Sequence, residues 1–420
     1  MEVLKFGGAS VNSVERIKQL AAILHLNPGG KKVVVISAMG KTTNALEKVT
    51  EAFYNKRKEE ALELFEHIKK QHLNTAKYLL VTSANETDAR LSHLFAEVEW
   101  TLHDEPARSF DYYYDQMVCI GELLSTTIIS AYLNEKGIHN KWIDVRDVFR
   151  TDDHFRNAGI DWAFTEKNMR EKVLPVFNDY EMVITQGFIG ATDENESTTL
   201  GREGSDYSAA VFGNLLNAEQ VTIWKDVPGI MNADPKTFPS AVVLHELNYD
   251  EVIEMAYYGA QVIHPKTIKP LENKAIPLFV KCFLDPSLPG TAIRHKAIKD
   301  MPPVIIIKNN QALLHLHSGD FSFIDGNAIS RLYDLLAEKS ITANLIQTGA
   351  VTLMICTDDK EDKINQLAVA ASAIFDVKVE KNLCLLTIRH YTPEAVAEMT
   401  DGKQIVLKQQ SPQTVQFLLR

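Results

Sequence analysis

The sequence has few cysteines, and none of them in a metal-binding arrangement. The four thiols, Cys119, Cys282, Cys356 and Cys384, lie far apart in apolar surroundings and include no CxxC pair. A disulfide framework or a zinc site needs cysteines at short, paired spacings. We therefore expect free structural thiols in a reducing compartment.

An excess of positive charge is also missing. Lys and Arg number 44 against 55 Asp and Glu, which gives a formal net charge of -11 at pH 7. Proteins that gather nucleic-acid phosphates need a basic surface field. The charge balance therefore argues against a nucleic-acid partner.

Long apolar runs are not evident from the sequence. No stretch approaches the ~18 consecutive apolar residues that would span a bilayer, and the N-terminus has no apolar signal core. The sequence therefore predicts a cytoplasmic protein without a membrane partner.

What the sequence does contain is alternation of strands and helices. Residues 3–6 form a short apolar strand, helical periodicity follows from Val14, and residues 33–36 are a β-branched run. Asn12 and Glu15 suggest a capping pair for the helix. After a helical stretch from about 45 to 138, strands recur near residues 142, 182, 221 and 277. This order predicts an α/β fold with a parallel sheet.

A boundary is predicted at residues 285–290, where two prolines and a glycine in six residues can continue neither element type. Beyond it, residues 304–308 and 312–317 are predicted strands separated by a turn at Asn309-Asn310. The α+β order then repeats in shortened form after residue 381, which indicates an internal duplication.

The first candidate site is the turn Lys5-Phe6-Gly7-Gly8-Ala9-Ser10. Two glycines let the backbone approach a ligand, a helix N-terminus can bind an anion, and a lysine can hold a phosphate. A tight turn with a solvated lysine is the alternative. The turn alone does not decide between them.

A second segment superficially suggests a phosphate loop. Gly40-Lys41-Thr42 resembles the end of a Walker A motif, but that motif needs a glycine where Val35 stands inside a strand. We therefore do not expect a P-loop. The hydroxyls of Ser37 and Thr43 remain available at the carboxyl end of the strand, where open α/β sheets bind ligands.

The most informative stretch runs from Gly187 to Asp206. Arg202 can clamp a carboxylate through two parallel hydrogen bonds. Ser205 and the following helix N-terminus can hold another anion, and Asp206 can position lysines or a metal. The alternative makes Asp206 a plain helix cap and Arg202 a surface residue.

Two further candidates are weaker on their own. The Lys225-Asp226 loop follows a strand and could hold a nucleotide, although Pro228-Gly229 also makes it an ordinary turn. Glu122, early in an apolar helix, could bind a substrate ammonium, whereas a lone glutamate more often faces solvent.

Together these residues resemble the aspartate kinases (aspartokinases) of the amino-acid kinase superfamily. The C-terminal part resembles, less closely, a pair of ACT domains. The matching segments occur in the family's order: Lys5 to Ser10, Thr43-Asn44, Gly121 to Ser125, Leu200 to Tyr207, Trp224 to Asp234, and Tyr258 to Pro265.

The resemblance implies a fold and a domain division. Residues 1–290 would form a three-layer αβα, carbamate-kinase-like catalytic domain. Residues 300–380 would form an α+β, ferredoxin-like ACT regulatory domain, and residues 381–420 a shortened second ACT-like unit. A homodimer through the ACT region and an amino-acid effector there are the expected partners.

The resemblance also implies an activity. ATP with Mg²⁺ would phosphorylate the side-chain carboxylate of L-aspartate to 4-phospho-L-aspartate, the entry to lysine, threonine and methionine synthesis. Phosphoryl transfer of this kind needs positioning and charge neutralisation rather than a protein nucleophile.

The implied site residues fall into three groups and include no protein metal ligand. Lys5 and Asp206 would be catalytic. Aspartate would contact Thr43, Glu122, Arg202, Glu203, Gly204 and Ser205. ATP would contact Lys5, Phe6, Gly7, Gly8, Lys225, Asp226, Met231, Lys236, Gln261 and Val262.

Several positions depart from the family pattern near the nucleotide. Ala9 stands for a usual Thr, Glu203 for Gly, Lys225 for Thr, Lys236 for Arg, and Gln261 for a lysine that commonly contacts ATP. We hypothesise that Lys225 supplies the charge that Gln261 lacks.

The regulatory half departs further. Asn344 and Ala350 stand where lysine-sensitive relatives commonly have acidic residues, so weak or absent inhibition by lysine is predicted. Two other functions stay open at this stage: another amino-acid kinase, such as an acetylglutamate kinase, or a catalytically impaired ACT-containing amino-acid sensor.

Overall fold

The computed structural model describes residues 1–420 except Pro28, Val262, Ala297, Lys299, Asp320 and Phe321. It contains two compact units. The first comprises Met1–Ile230, Val243–Ile253 and Ile263–Ile298. The second comprises Met231–Val242, Glu254–Val262 and Lys299–Arg420.

The strands are short in the first unit and longer in the second. They are β1 (Glu2–Phe6), β2 (Lys32–Ile36), β3 (Lys141–Ile143), β4 (Met182–Gln186), β5 (Ile189–Ala191), β6 (Ser197–Thr199), β7 (Gln220–Lys225), β8 (Glu246–Leu247), β9 (Leu278–Cys282), β10 (Thr291–Ile293), β11 (Val304–Ser318), β12 (Ala343–Thr348), β13 (Thr352–Asp358), β14 (Phe375–Arg389), β15 (Ile405–Gln410) and β16 (Thr414–Leu419).

The helices are α1 (Val14–Leu26), α2 (Thr42–Tyr54), α3 (Lys58–Leu79), α4 (Ala84–His103), α5 (Phe110–Val118), α6 (Ile120–Glu135), α7 (Trp162–Asn168), α8 (Gly204–Leu215), α9 (Tyr249–Tyr258), α10 (Pro265–Glu272), α11 (Gly326–Glu338), α12 (Glu361–Ala371) and α13 (Pro393–Thr400).

An eight-stranded sheet in the order β3-β4-β2-β1-β7-β9-β10-β8 organises the first unit. The first six strands in this order, β3, β4, β2, β1, β7 and β9, are parallel to their neighbours. Strand β10 runs antiparallel to β9. Every residue of β2 is buried, as expected for a strand covered on both faces, and α6 and α8 both pack on it. The predicted αβα architecture is confirmed.

The sheet order places the ends of the central strands together. The chain proceeds from β1 to β2 on one side, while β7 lies against β1 on the other side. This is the kind of topological switch point at which parallel α/β sheets bind ligands. The segments after β1, β2, β4 and β7 therefore meet at one edge.

Two local predictions were wrong. Helix α1 is capped by Ser13, whose side chain accepts the Arg16 N–H at 3.3 Å, rather than by Asn12. The predicted turn at Asn309-Asn310 is an irregularity inside one fifteen-residue strand, β11, with Asn310 at φ 53°. Strand β14 pairs with β11 on both sides of this irregularity, so pairing across the sheet outweighs the local turn preference.

A six-stranded antiparallel sheet in the order β12-β13-β11-β14-β16-β15 forms the second unit. The chain order β11-α11-β12-β13-α12-β14 is the ferredoxin-like βαββαβ arrangement. Strands β11 and β14 extend beyond this motif, where residues 304–308 pair with residues 385–389. Residues 304–308 thus supply a strand to the second α+β repeat, although they come before the first repeat in the sequence.

One helical stretch in the described chain, Phe110–Glu135, is long and apolar enough to cross a membrane by length and composition. The qualifying window is 89% buried inside the protein. This stretch is therefore buried like a helix in the core of the protein.

Candidate functional site

A cavity of about 580 Å³ opens at the edge where the central strands of the first unit end. It combines glycine-rich backbone, hydroxyls and charged side chains from several elements. Its lining residues are Lys5, Gly7, Gly8, Ala9, Ser10, Ser37, Ala38, Gly40, Thr43, Tyr114, Glu122, Arg156, Phe188, Thr199, Gly201, Arg202, Glu203, Gly204, Ser205, Asp206, Trp224, Lys225 and Asp226.

At the base of the cavity, a buried aspartate lies between two lysines. Asp206 Oδ1 is 2.5 Å from Lys5 Nζ, and Asp206 Oδ2 is 3.7 Å from Lys225 Nζ. Burial alone would raise the pKa of Asp206, but the two ammonium groups outweigh it and lower that pKa below its usual value. Asp206 is therefore a stable carboxylate that fixes two cations.

These contacts bear on two of the alternatives left open by the sequence, those for Lys5 and Asp206. Lys5 is buried rather than solvated. Asp206 lies inside the first turn of α8, whose N-cap residue is Glu203, so Asp206 is not a plain cap. The ion pair also joins the end of β1 to the start of α8.

Glycine at position 187 brings α8 close to the sheet. A Cβ on Gly187 would lie 2.7 Å from Ser205 Cβ and 2.9 Å from Val35 Cγ1. The close approach places the N–H groups of the first turn of α8 at the cavity. A helix N-terminus carries a partial positive charge and binds anions.

Glu122 is the second buried carboxylate of the cavity. The Ala38 N–H donates to its Oε1 at 3.3 Å, and its Oε2 has no hydrogen-bond partner among the described residues. Burial raises the pKa of Glu122 to about 8, against the smaller opposing effects of the Ala38 hydrogen bond and Lys5. A buried carboxylate with an unused oxygen is suited to an incoming ammonium group.

Glu203 lines the cavity, and one of its carboxylate oxygens is engaged by a distant backbone N–H. Glu203 has a left-handed backbone, φ 54°, and its Oε2 accepts the His264 N–H at 2.9 Å. The side chain of the neighbouring Arg202 is exposed and makes no ion pair within the described part of the chain. The guanidinium of Arg202 is thus available to a ligand.

Sequence reasoning missed three residues at this site. Arg156 and Tyr114 line the cavity, and buried Asp115 supports them. Asp115 accepts hydrogen bonds from the Arg156 N–H at 2.9 Å and from the N–H and hydroxyl of Thr199 at 2.8 and 2.7 Å. No motif marks these positions, and only the fold brings them together.

Four of the described residues in the predicted ATP set do not line the cavity. Phe6 is buried and stacks on Trp224, with ring centroids 5.9 Å apart. Met231, Lys236 and Gln261 belong to segments of the second unit. Val262 lies outside the described residues.

The described residues contain no group of three or more His, Cys, Asp or Glu side chains that could hold a metal ion. Two lysines, a free arginine, a helix N-terminus and backbone turns make the cavity suited to anions. Glu122 adds one place for a cation. A ligand with carboxylates and an ammonium, next to a phosphate chain, matches this arrangement.

Comparison with known proteins identifies relatives across most of the chain. The model of the amino acid kinase family matches residues 1–282. Lysine-sensitive aspartokinase 3 of Escherichia coli strain K12 is 34% identical over 397 residues, covering 92% of this chain and 86% of the relative. Chloroplastic aspartokinase 2 of Arabidopsis thaliana is 32% identical, covering 85% of this chain and 66% of the relative.

Solved structures agree with these matches. Aspartokinase III of E. coli in complex with aspartate and ADP, in the R-state, superposes with a TM-score of 0.83 at 30% identity. The match covers 100% of this chain and 96% of that one. The same enzyme with lysine and aspartate, in the T-state, gives a TM-score of 0.79 at 30% identity, covering 100% and 95%.

Proposed function

Because this chain belongs to the amino acid kinase family, and within it to the aspartokinases, we propose that the Lys5–Asp206 cavity is its catalytic site. The enzyme transfers a phosphoryl group from ATP to the side-chain carboxylate of L-aspartate. The products are 4-phospho-L-aspartate and ADP. The reaction opens the synthesis of lysine, threonine and methionine.

The buried pair of Lys5 and Asp206 is assigned to the transferring group. Lys5 neutralises charge on the phosphoryl oxygens, and Asp206 holds Lys5 and Lys225 in place. A preorganised cation of this kind stabilises the transition state without rearranging when the charge moves. Gly7 and Gly8, beside Lys5, allow the phosphate chain to approach the backbone.

The other polar residues are assigned to aspartate. Glu122 takes the ammonium through its unused oxygen, and Arg202 binds a carboxylate with its guanidinium. Thr43, Glu203, Gly204 and Ser205 complete the predicted contacts, Ser205 from the first turn of α8. ATP is assigned to Lys225 and Asp226, which line the cavity, and the resemblance adds Met231, Lys236, Gln261 and Val262.

Mg²⁺ fits this site as a companion of the nucleotide. Mg²⁺ is usually bound by one or two carboxylates together with substrate phosphates; Asp226 lines the cavity, whereas both oxygens of Asp206 already face lysines. When bound, the ion would neutralise charge on the phosphates.

The second unit is assigned to regulation and assembly. We assign residues 1–290 to catalysis, 300–380 to a first ACT domain and 381–420 to a shortened second one. The outer strands of the six-stranded sheet are β12 and β15. Because an outer strand can pair with another chain, these edges support a homodimer through the ACT region. An amino-acid effector would bind there.

The observation that carries the assignment is the buried Glu122 oxygen without a partner, in the same cavity as the Lys5–Asp206 pair. The test is an acyl-phosphate assay that traps the product with hydroxylamine. We expect aspartyl hydroxamate with L-aspartate and ATP, and none with Lys5→Met. Product from acetylglutamate or glutamate instead would indicate another amino-acid kinase. No product from any amino acid would favour the sensor.

A further inference from the structure

Arg156 has an unusual backbone conformation for its residue type. Its φ is 68°, in the left-handed region that favours glycine. A non-glycine residue pays a conformational cost there and persists only where its surroundings hold it. A strained arginine that lines a catalytic cavity is therefore a candidate functional residue.

Several contacts hold the turn that carries Arg156. The Arg156 N–H donates to buried Asp115 at 2.9 Å, and the Ala158 N–H donates to the Thr199 carbonyl at 2.9 Å. Lys266 Nζ binds the carbonyl of Leu200 at 3.0 Å and lies 3.4 Å from Asn157 Oδ1. The turn is thus tied to the strand and loop that lead to Arg202.

The same contacts bring two arginines to one end of the cavity. A Cβ on Gly201, the residue before Arg202, would lie 2.7 Å from Asn157 Oδ1 and 3.3 Å from the Arg156 carbonyl oxygen. The Arg156 turn therefore packs directly on the Arg202 loop. Both side chains line the cavity.

The Arg156 guanidinium is held in one orientation, but its ion pairs are long. Its carbon lies 4.3 Å from the centre of the Tyr114 ring, which fixes the plane of the group. Its nitrogens are 3.4 Å from Glu47 and 3.3 Å from Asp111, longer than the ~2.7–2.9 Å of a strong charge-assisted bond. Both carboxylates are partly exposed, so a bound carboxylate can compete for the guanidinium.

We propose that Arg156 is a specificity-determining residue that, with Arg202, binds the carboxylate of aspartate that does not accept the phosphoryl group. This inference rests on the proposed function of the cavity. It gives the site a second guanidinium for a substrate with two carboxylates. A substrate that lacks the second carboxylate would gain nothing from Arg156.

The test replaces Arg156 by Gly, which suits the backbone conformation. We expect the KM for aspartate to rise about tenfold, with kcat and the KM for ATP changed less than about twofold. Arg156→Asn, which also tolerates a left-handed backbone, should behave like Arg156→Gly. Arg108→Ala is the matched control, because Arg108 also stacks on a tyrosine of α5 but lies outside the cavity. It should leave the KM unchanged.

A substrate analogue separates binding from structure. With L-aspartic acid 1-amide, which has only the acceptor carboxylate, Arg156→Gly should change the KM less than about twofold. An equal loss for aspartate and the amide would overturn the proposal, and so would an unchanged KM for aspartate. If the unaltered enzyme forms no aspartyl hydroxamate, the proposed function fails instead.

Discussion

Glu122 shows how one buried side chain can link substrate binding to pH. Its raised pKa of about 8 means that the free site is largely protonated at neutral pH. An ammonium ligand needs the carboxylate form. Binding of aspartate must therefore displace a proton below pH 8.

We expect kcat/KM for aspartate to rise with pH from about 6.5 through 8 and to level off only above 8. Glu122→Gln should give a low value without this rise. A profile for the unaltered enzyme that is flat between pH 6.5 and 8.5 would contradict the assignment of Glu122 to the ammonium. Assays at several pH values, with ATP saturating, make the measurement.

The same group affects the ligand-free protein in a predictable direction. Since the folded-state pKa exceeds the ordinary value of 4.5, the folded state binds more protons between these two values. The contribution of Glu122 to stability is complete below about pH 4.5 and is lost as the pH rises through 8. Urea unfolding without aspartate should show this loss, and Glu122→Gln should remove it.

Lys225 is one of the departures from the family pattern that line the cavity. Its ammonium faces Asp206 across 3.7 Å, where the family pattern has a threonine. We expect Lys225→Thr to raise the KM for ATP and to lower kcat. A lost charge-assisted contact, ~1.5–3 kcal/mol, corresponds to about ten- to a hundredfold in kcat/KM.

The exposed Lys18 on α1 supplies a control for Lys225, since Lys18→Thr removes the same charge away from the cavity. It should leave both constants unchanged. If Lys225→Thr also left them unchanged, the compensation for Gln261 would be wrong.

Much of the site was predictable because its residues lie in sequence at strand ends and beside glycines. Lys5, Glu122, Arg202 and Asp206 all reach the cavity. Arg156 was not predictable, because residue type does not show a left-handed backbone or a neighbour 46 positions away. The hydrogen bond that Glu203 accepts was not predictable either, because its donor is the N–H of His264, far along the chain.

At the scale of elements, the close contact between the end of β4 and α8 positions the first turn of α8, which we assign to aspartate binding. Replacing Gly187 by Ala would place a methyl group within 3 Å of both Ser205 and Val35. We expect the first turn of α8 to shift, the KM for aspartate to rise, and stability to fall by ~1–3 kcal/mol. Urea unfolding and steady-state kinetics test both effects.

Gly326→Ala is the appropriate control for this change. No atom lies within 4 Å of the added Cβ, and no left-handed φ constrains this residue at the start of α11. It should leave the kinetics unaltered. Unchanged stability and KM in Gly187→Ala would contradict the close packing.

Element boundaries were less predictable than element types. Asn309-Asn310 has the composition of a turn, yet β14 pairs with β11 both before and after it. Pairing across a sheet depends on residues far along the chain. Local composition could not reveal that the predicted strands 304–308 and 312–317 are one strand.

At the scale of the whole molecule, the six-stranded sheet, which we assign to regulation, bears on the expected response to lysine. Asn344 accepts a hydrogen bond from Lys308 Nζ at 2.9 Å and donates to Gln311 and Asp358 at 2.7 and 2.8 Å. An internal ammonium already lies beside the residue that replaces an acidic one. An incoming lysine ammonium would have to compete with Lys308 for the nearby carboxylate of Asp358.

We therefore expect lysine to inhibit weakly or not at all, although the E. coli relative is lysine-sensitive. Activity is to be measured over a series of lysine concentrations. Asn344→Asp combined with Ala350→Glu restores acidic residues at both positions and should increase the inhibition. A low-micromolar inhibition constant for the unaltered enzyme would refute the prediction.

The long strands β11 and β14 have a consequence for how the second unit unfolds. Each contributes to both halves of the sheet, with register shifts between residues 308 and 313 of β11, and the first residues of β11 pair with the last residues of β14. Removing residues 381–420 would therefore expose residues 304–308 along with the cut. The two halves of the sheet share strands β11 and β14 instead of following one another along the chain. Hydrogen exchange should therefore show that both halves unfold together in one cooperative step.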